Sequence, residues 1–283
     1  MSSGGKYFVT LWGGLGDFVK MYYSHVQWRK LEAFKKQYPN TYIKAIVYSL
    51  NPNAKGLIEY HPCIDEVFQP KEKLLEVRAK GLGSYANGYA WLQNRKEITK
   101  KLPKSKPRIY LSEEDKQLFR KVRKKTKNKY IVIHPFSAMA PNLLTSRTTM
   151  STEHYIPIIE GLEKKGYKIV LLGASRKNLT EEMEYSSRSC INLINKTSVR
   201  TALKLVAKSQ GFIGTNSCFM CEAMLEKKPC FIITSYFWKN KAYKNGFIAQ
   251  GLKNTRSTFT FLPQNRANAN YKEIQTGAIN WFN

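Results

Sequence analysis

The sequence predicts an α/β protein built on parallel strands, because short apolar runs alternate with segments of helical periodicity along the chain. Two such series are recognisable, one beginning at Tyr7 and one at Tyr130. A third observation is the small polar turn at 214–218, which lies between an apolar run and a helical segment. Strand, turn, helix and strand in this order form a βαβ unit. We therefore expect two Rossmann-like halves that face each other across a cleft.

The first series begins with an apolar strand over 7–12, which leads through a glycine turn into helical spacing over 18–34. Two further strands are predicted, at 42–48 and at 67–68. Acidic residues after Ser112 are typical of a helix N-terminus, and a basic helix then closes this half.

The second series begins with four apolar residues at Tyr130 and continues through a long polar loop. The later strands are predicted at 168–173, 191–193, 212–213 and 230–233. Helices are predicted at 153–165, at 198–209 and, opened by Glu222, at 222–225.

These elements predict three parts of the chain. Residues 1–128 form an N-terminal Rossmann-like domain, and residues 129–262 form a second one. Residues 263–283 are polar and end in Trp281 and Phe282, and we expect this segment to pack back on the first half.

Composition indicates a folded protein with an anionic partner. Forty-seven Lys and Arg face 20 Asp and Glu, so the net charge is +27, which implies a polyanionic partner or surface. The N-terminus has no apolar signal-peptide core, no run of eighteen apolar residues exists, and the five cysteines are scattered. These features predict a cytoplasmic protein with reduced thiols and no membrane span.

The polar turn Gly214-Thr215-Asn216-Ser217-Cys218 stands where a helix should begin. Backbone N–H groups at such a position are free to bind an anion, so the turn predicts a phosphate site. Cys218 and Cys221 have the spacing of half a zinc knuckle, but no second pair follows, so no metal is expected.

Other candidates lie after the first strands of the two series. Asp17, behind the glycine turn, is suited either to capping a helix or to acting as a general base. In the polar loop, hydroxyl side chains surround Arg147, a combination that is able to hold phosphate oxygens. His134 precedes a proline at a strand end, where a structural role is favoured over a catalytic one.

Taken in order, four motifs resemble the heptosyltransferase-like glycosyltransferases with the GT-B fold. They are the GGLGD turn at 13–17, the TSR element at 145–147, the GYKIVLLG strand at 166–173 and the GTNSCFMC turn at 214–221. The resemblance implies metal-independent sugar transfer, with inversion, from a nucleotide-sugar to a hydroxyl group, and no bound cofactor. The half at 1–128 would hold the acceptor and the half at 129–262 the donor.

The resemblance also implies residue roles. Asp17 would be the catalytic base. The donor would contact Gly14, Gly16, Thr145, Ser146, Arg147, Gly173, Thr197, Asn216, Ser217 and Cys218. The segment 222–224 is similar instead to the GluAlaMet element of other GT-B enzymes, which implies that Glu222 would bind the ribose hydroxyls.

Three positions depart from the family pattern. Met150 stands where the family has Lys, Asn216 replaces Asp, and Cys221 replaces His. Because of these substitutions the resemblance does not fix the identity of the sugar.

The acceptor is predicted from charge. Far more cations are present than a nucleotide-sugar requires, which favours nucleic acid, and we expect a hydroxymethylated base in phage DNA as acceptor. The expected DNA contacts are Lys101, Lys104, Lys106, Arg108, Arg123, Lys124, Lys125 and Lys127. Two alternatives remain open: a transferase for lipopolysaccharide or lipid-linked sugars at an anionic membrane surface, and a non-catalytic nucleic-acid-binding protein on a degenerate GT-B fold.

Overall fold

The computed structural model describes residues 6–12, 15, 19, 26–48, 52–69, 109–135, 150, 152–173, 190–235, 256–263 and 265–282. The chain divides into two compact units, Met1–Ser112 and Glu113–Asn283. The division falls before the basic helix, which therefore belongs to the second unit and not, as we expected from the sequence, to the first.

The first unit contains a parallel sheet in the order β1-β2-β3. Its strands are β1 (Lys6–Trp12), β2 (Tyr42–Tyr48) and β3 (Glu66–Phe68), with helix α1 (Val26–Gln37) and a 3-10 turn, Pro52–Leu57. All three strands stand where the apolar runs predicted them. Asp65 fixes the start of β3 against β2, because its carboxylate accepts from the N–H of Ile43 at 2.7 Å and from the Lys35 ammonium.

The second unit contains six parallel strands in the order β6-β5-β4-β7-β8-β9. The strands are β4 (Tyr130–His134), β5 (Lys168–Leu171), β6 (Cys190–Asn192), β7 (Gly211–Gly214), β8 (Cys230–Ser235) and β9 (Ser257–Leu262). The helices are α2 (Glu113–Thr126), α3 (Ile156–Lys164), α4 (Val199–Lys208), α5 (Cys218–Leu225) and α6 (Tyr271–Asn280), and 3-10 turns lie at Thr152–Tyr155 and Arg266–Asn268. Strand β9 and helix α6 were not predicted from the sequence.

Both faces of this sheet are covered by helices, which explains why its strands are apolar on both sides. On one face Ile131, Ile133 and Ile213 join a buried cluster with residues of α3 and α6. On the other face the Tyr130 hydroxyl donates to the carbonyl oxygen of Leu205 in α4 at 2.8 Å. This doubly wound arrangement is the one that the alternating pattern predicted.

The C-terminal helix α6 packs on elements of the second unit. Ile279 lies so close to Gly161 of α3 that a Cβ added at position 161 would come within 2.4 Å of it. Phe282 lies in the same way against Gly211 at the start of β7. We had expected this segment on the first half, but its apolar side chains complete the core of the second.

A buried ion pair fixes the basic helix α2 to the second unit. Asp115 is 6% exposed, and its carboxylate accepts from Arg200 Nε at 2.9 Å and from Thr201 Oγ1 at 2.7 Å, with Ser198 Oγ as a third donor. Burial opposes ionisation, but these hydrogen bonds outweigh it and lower the pKa of Asp115 to about 2. Helix α2 is therefore held at its first turn, which leaves its basic C-terminal half exposed.

None of the helices in the described part of the chain is long and apolar enough to cross a membrane. All five cysteines are free thiols.

Candidate functional site

The strand order indicates one candidate binding site in the second unit. From β4 the chain winds outward to β5 and β6, and from β7 it winds in the opposite direction to β8 and β9. The connections therefore diverge between β4 and β7, whose last residues, His134 and Gly214, pair in register. Ligands of open α/β sheets bind at such a switch point, outside the carboxyl ends of the strands. The polar turn predicted as a phosphate site follows directly on β7.

Gly214 is required at this point because the backbone of β4 lies against it. A Cβ at position 214 would stand 2.5 Å from the carbonyl oxygen of His134 and 3.0 Å from its Cβ. Real Cβ atoms do not approach a backbone oxygen so closely, so any other residue would push the two strand ends apart. The glycine thus determines how β7 enters the turn.

Helix α5 begins at Cys218, one turn earlier than the sequence predicted. We had expected Glu222 to open the helix, but Ser217 is its N-cap, and the Ser217 Oγ accepts from the N–H of Met220 at 3.3 Å. The remaining N–H groups of the first helical turn lie at the switch point, where the helix dipole favours negative charge. Asn216 and Ser217 are half-buried here, as a ligand-contacting turn requires.

His134 is a structural residue of this site, in agreement with the sequence interpretation. Its side chain is 4% exposed, its Nδ1 lies 2.9 Å from the carbonyl oxygen of Leu172, and its ring meets Phe219 edge-on with centroids 4.8 Å apart. Burial lowers the pKa of the imidazole to about 4, so it is neutral at pH 7. The ring thereby joins the ends of β4 and β5 to the first turn of α5.

Glu222 lies one turn inside α5 and is 4% exposed. Burial raises the pKa of its carboxyl to about 8, nearby Glu226 adds to this, and Lys204 of α4 opposes it. The group is therefore mostly protonated at pH 7 and able both to donate and to accept a hydrogen bond. Its predicted contact with ribose hydroxyls stays a prediction.

Lys204 is a neighbour of this carboxyl that the sequence analysis missed. It is half-buried in α4, and burial, with Lys208 adding, lowers the pKa of its ammonium group. In the sequence it is one lysine among 47 basic residues, and only the packing of α4 beside α5 distinguishes it.

The cysteines of α5 are packing residues. Cys218 is 9% and Cys221 1% exposed, and burial raises the pKa of the Cys218 thiol far above its ordinary value. Within the described ranges no group of three or more His, Cys, Asp or Glu side chains is placed to hold a metal ion.

Two further predicted donor residues lie at the same edge of the sheet. Gly173 follows β5, and its carbonyl oxygen accepts from the N–H of Asn195 at 3.0 Å. Thr197 lies two residues beyond Asn195, just before α4, and is half-buried. These residues line the carboxyl ends of β5 and β6, beside the switch point.

The structure explains why Met150 can stand where the family has Lys. Its side chain is 3% exposed and belongs to the core cluster that includes Ile133, Tyr155 and Ile159. A lysine ammonium would be expensive to bury among these residues. In this chain position 150 therefore contributes to the core and not to the binding of phosphate.

The other predicted site residues lie outside the described residues. They are Gly14, Gly16, Asp17, Lys101, Lys104, Lys106, Arg108, Thr145, Ser146 and Arg147.

The predicted nucleic-acid contacts that the structure describes are Arg123, Lys124, Lys125 and Lys127, and all four are exposed. They lie in the last turn of α2 and in the connection to β4. That connection reaches the amino end of β4, so these cations lie at the opposite edge of the sheet from the polar turn. They are not part of the switch-point site.

Residues 91–224 match the sequence model of the family described as Glycosyltransferase family 9 (heptosyltransferase). Lipooligosaccharide heptosyltransferase 2 of Haemophilus ducreyi is 30% identical over 89 residues, which are 29% of this chain and 26% of that protein. The match thus spans about a quarter of that relative's length.

Several solved glycosyltransferase structures have a similar fold over nearly the whole chain. A family 9 glycosyl transferase from Veillonella parvula has a TM-score of 0.60 at 13% identity, with 100% of this chain and 98% of that one covered. The E. coli ADP-heptose lps heptosyltransferase II has a TM-score of 0.59 at 12% identity, covering 99% and 98%. The predicted resemblance to heptosyltransferases and the predicted GT-B fold class are confirmed, and the matches support the predicted enzyme class.

Proposed function

We propose that this chain, which carries a glycosyltransferase family 9 region over 91–224, transfers a sugar from a nucleotide-sugar to a hydroxyl group of a lipid-linked saccharide of the lipopolysaccharide type. The observation that carries the proposal is the Ser217-capped helix at the switch point, within the matched region. A diphosphate fits this position because the start of a helix, through its N–H groups and its dipole, favours an anion.

The choice of donor rests on the relatives. Two of the similar solved structures are described as an ADP-heptose lps heptosyltransferase and as a heptosyltransferase with ADP. We propose an ADP-linked heptose as the first donor to test. Asn216 and Cys221, which depart from the family pattern, lie in or next to the turn that would hold the donor, so a related sugar is the next choice.

A saccharide acceptor is preferred over DNA for a similar reason. The matched relatives are named for lipooligosaccharide and lipopolysaccharide chemistry, whereas the expectation of a DNA acceptor rested on net charge. The exposed cations of α2 lie away from the switch point, so they do not belong to the proposed donor site.

The proposed reaction is a single displacement. Asp17 removes the proton of the acceptor hydroxyl as its oxygen bonds to the anomeric carbon, and the sugar–phosphate bond breaks so that the nucleoside diphosphate leaves with the electron pair. N–H groups at the start of α5, together with Arg147, would stabilise the negative charge on the leaving phosphate. The configuration at the anomeric carbon inverts.

The test is transfer itself. Purified protein is incubated with ADP-heptose, and in parallel with other nucleotide-sugars, in the presence of a heptose-free lipopolysaccharide core or of hydroxymethylated DNA, and both acceptors are analysed by mass spectrometry. We expect one glycosyl unit on the lipid saccharide and none on DNA. Glycosylated DNA with an unmodified lipid saccharide would overturn the proposed acceptor, and no product with any donor would overturn the enzyme assignment.

A further inference from the structure

The amino-terminal edge of the second unit's sheet carries a concentration of positive charge that the proposed reaction does not use. In a parallel sheet the connections that enter the strands all arrive at this edge. We call residues 123–129, 164–168, 208–210, 227–229 and 256 the basic rim. These residues include twelve Lys and Arg and no Asp or Glu.

Backbone hydrogen bonds hold these connections side by side. The N–H of Lys168 donates to the carbonyl of Lys129 at 3.1 Å, and that of Gln210 donates to the carbonyl of Tyr130 at 2.9 Å. The N–H of Phe212 donates to the carbonyl of Pro229, and the N–H of Cys230 donates to the carbonyl of Arg256 at 2.8 Å. The rim therefore follows the sheet from β5 through β4, β7 and β8 to β9. With neighbouring strands ~4.8 Å apart, it is about 20 Å long.

Most of these cations are accessible. The two neighbouring residues Lys124 and Lys125 end α2 as exposed side chains, and Lys164, Lys208 and Lys227 are exposed where the next connections approach their strands. Sequence inspection finds only the run at 123–129. The other rim residues are spread along the chain as far as position 256 and come together only through the strand order.

An aromatic side chain lies at the same edge. The hydroxyl of Tyr167, in the rim, donates to the carbonyl oxygen of Phe282 at 3.1 Å, and Lys165 Nζ donates to that of Ile279 at 2.9 Å. These contacts hold the end of the chain at the rim. Between them Trp281 is 37% exposed. Trp is enriched at membrane–water interfaces, because its ring is apolar and its N–H is polar.

We propose that the basic rim docks this protein on an anionic lipid bilayer. Ten of the twelve rim cations are Lys, whose mobile point charges suit the diffuse negative potential of a lipid surface, whereas recognition of nucleic acid favours the planar fork of Arg. The basic rim, with Trp281 beside it, is suited to contact with a lipid surface. Because the rim lies opposite the switch point, docking leaves the site of the polar turn uncovered.

The proposal is tested with vesicles and matched variants of the full chain. Partitioning is measured by co-sedimentation with phosphatidylcholine vesicles containing 30% phosphatidylglycerol, and with vesicles of phosphatidylcholine alone, at 0.1 M and 0.5 M NaCl. We expect binding only to the anionic vesicles, with a large loss at high salt. Equal partitioning into both kinds of vesicle, or into neither, would overturn the proposal.

Two pairs of substitutions locate the surface. Lys124→Gln with Lys125→Gln should lower partitioning about 25-fold, because each Lys near an anionic surface contributes about fivefold. Lys164→Gln with Lys208→Gln, at other connections, should have a similar effect without changing α2. The matched control is Lys36→Gln with Lys272→Gln, which removes the same charge from exposed positions outside the rim and should leave partitioning unchanged. Equal losses in the control and rim pairs would overturn the proposal.

Two further measurements separate the lipid from its alternatives. Trp281→Ala should lower vesicle partitioning severalfold, and no change would contradict its interfacial position. Anisotropy of a labelled 30-base-pair duplex is measured with the same proteins at the same salt. Tighter binding of the duplex than of the vesicles, abolished by both rim pairs, would identify nucleic acid as the partner and overturn the lipid proposal.

Discussion

The two edges of the second unit's sheet differ in burial and in charge. The carboxyl edge is polar and tightly packed. It holds helix N-termini, a close-packed glycine and the two buried carboxyl groups of Asp115 and Glu222. At the amino edge the basic rim carries exposed cations. Parallel strands impose part of this difference, because helix N-termini always return to the carboxyl edge. The charge of the amino edge is not imposed by the fold, which makes it a feature of this chain.

The buried carboxylate that anchors α2 gives the largest expected effect. Asp115→Ala would remove the buried carboxylate that accepts from Arg200, Thr201 and Ser198, and we expect a loss of about 3–5 kcal/mol in the free energy of unfolding, measured in urea. Because the pKa of Asp115 is lowered from 3.8 to about 2, its contribution is present above pH 3.8 and is lost as pH falls toward 2. Glu114→Ala, at the exposed neighbouring position, is the control and should change stability by less than about 0.5 kcal/mol. Equal effects of the two variants would mean that α2 is not held by this ion pair.

Gly214→Ala addresses the switch point directly. The added methyl group would meet the His134 carbonyl oxygen at 2.5 Å, and we expect a loss of about 1–3 kcal/mol in stability together with weaker ADP binding by calorimetry. Gly277→Ala is the control, because its Cβ would meet Phe231 at an ordinary 3.5 Å, and Ala favours a helix. If both variants bind ADP as tightly as the wild type, the turn is not the diphosphate site.

The raised pKa of Glu222 predicts a pH dependence of the opposite sign from that of Asp115. Its stabilising effect is complete below the unfolded value of 4.5 and is lost as pH rises through about 8. Glu222→Gln keeps the shape without the ionisation, so its Tm should exceed that of the wild type by roughly 3–6 °C at pH 9 and by little at pH 5. A Tm difference that does not vary with pH would contradict the buried, neutral carboxyl.

Ser217→Ala is expected to have the smallest effect. Loss of the cap bond to Met220 should cost about 1 kcal/mol in stability and should also weaken ADP binding. Asn270 provides the matched control, since it caps α6 by accepting from the N–H of Glu273 at 3.2 Å. Asn270→Ala should cost a similar stability without changing ADP binding, and an equal loss of binding in both variants would mean that the effect is general.

The sequence predicted the parallel strands of both units well, because apolar runs such as 130–133 and 230–233 are buried on both faces. Strand β9 has no continuous apolar run and is mostly half-buried, so it was missed, although its alternation of Thr and Phe is a strand pattern. Helix α6 buries only Ile274 and Ala278 and carries a glycine, so its periodicity is weak. Helix α5 was placed one turn too late because its first seven residues are all buried, and such a helix has no polar face.

The candidate site was predictable where it depended on backbone geometry. The polar turn could be found because a strand, a glycine and a capping serine are local signals. The effect of Lys204 on the pKa of Glu222 and the buried position of Asp115 depend on how the helices pack. No local sequence pattern predicts that packing. The basic rim shows the same limit, since Lys208, Lys227 and Arg256 become neighbours only when the strand order is known.

The most direct test of the account measures both edges in the same proteins. ADP binding by calorimetry and partitioning into 30% phosphatidylglycerol vesicles are determined for the wild type, for Gly214→Ala and for Lys124→Gln with Lys125→Gln. We predict that Gly214→Ala loses ADP affinity and keeps vesicle partitioning, and that the lysine pair loses partitioning and keeps ADP affinity. A lysine pair that loses ADP affinity as strongly as Gly214→Ala would contradict the assignment of the donor to the carboxyl edge and of the lipid surface to the amino edge.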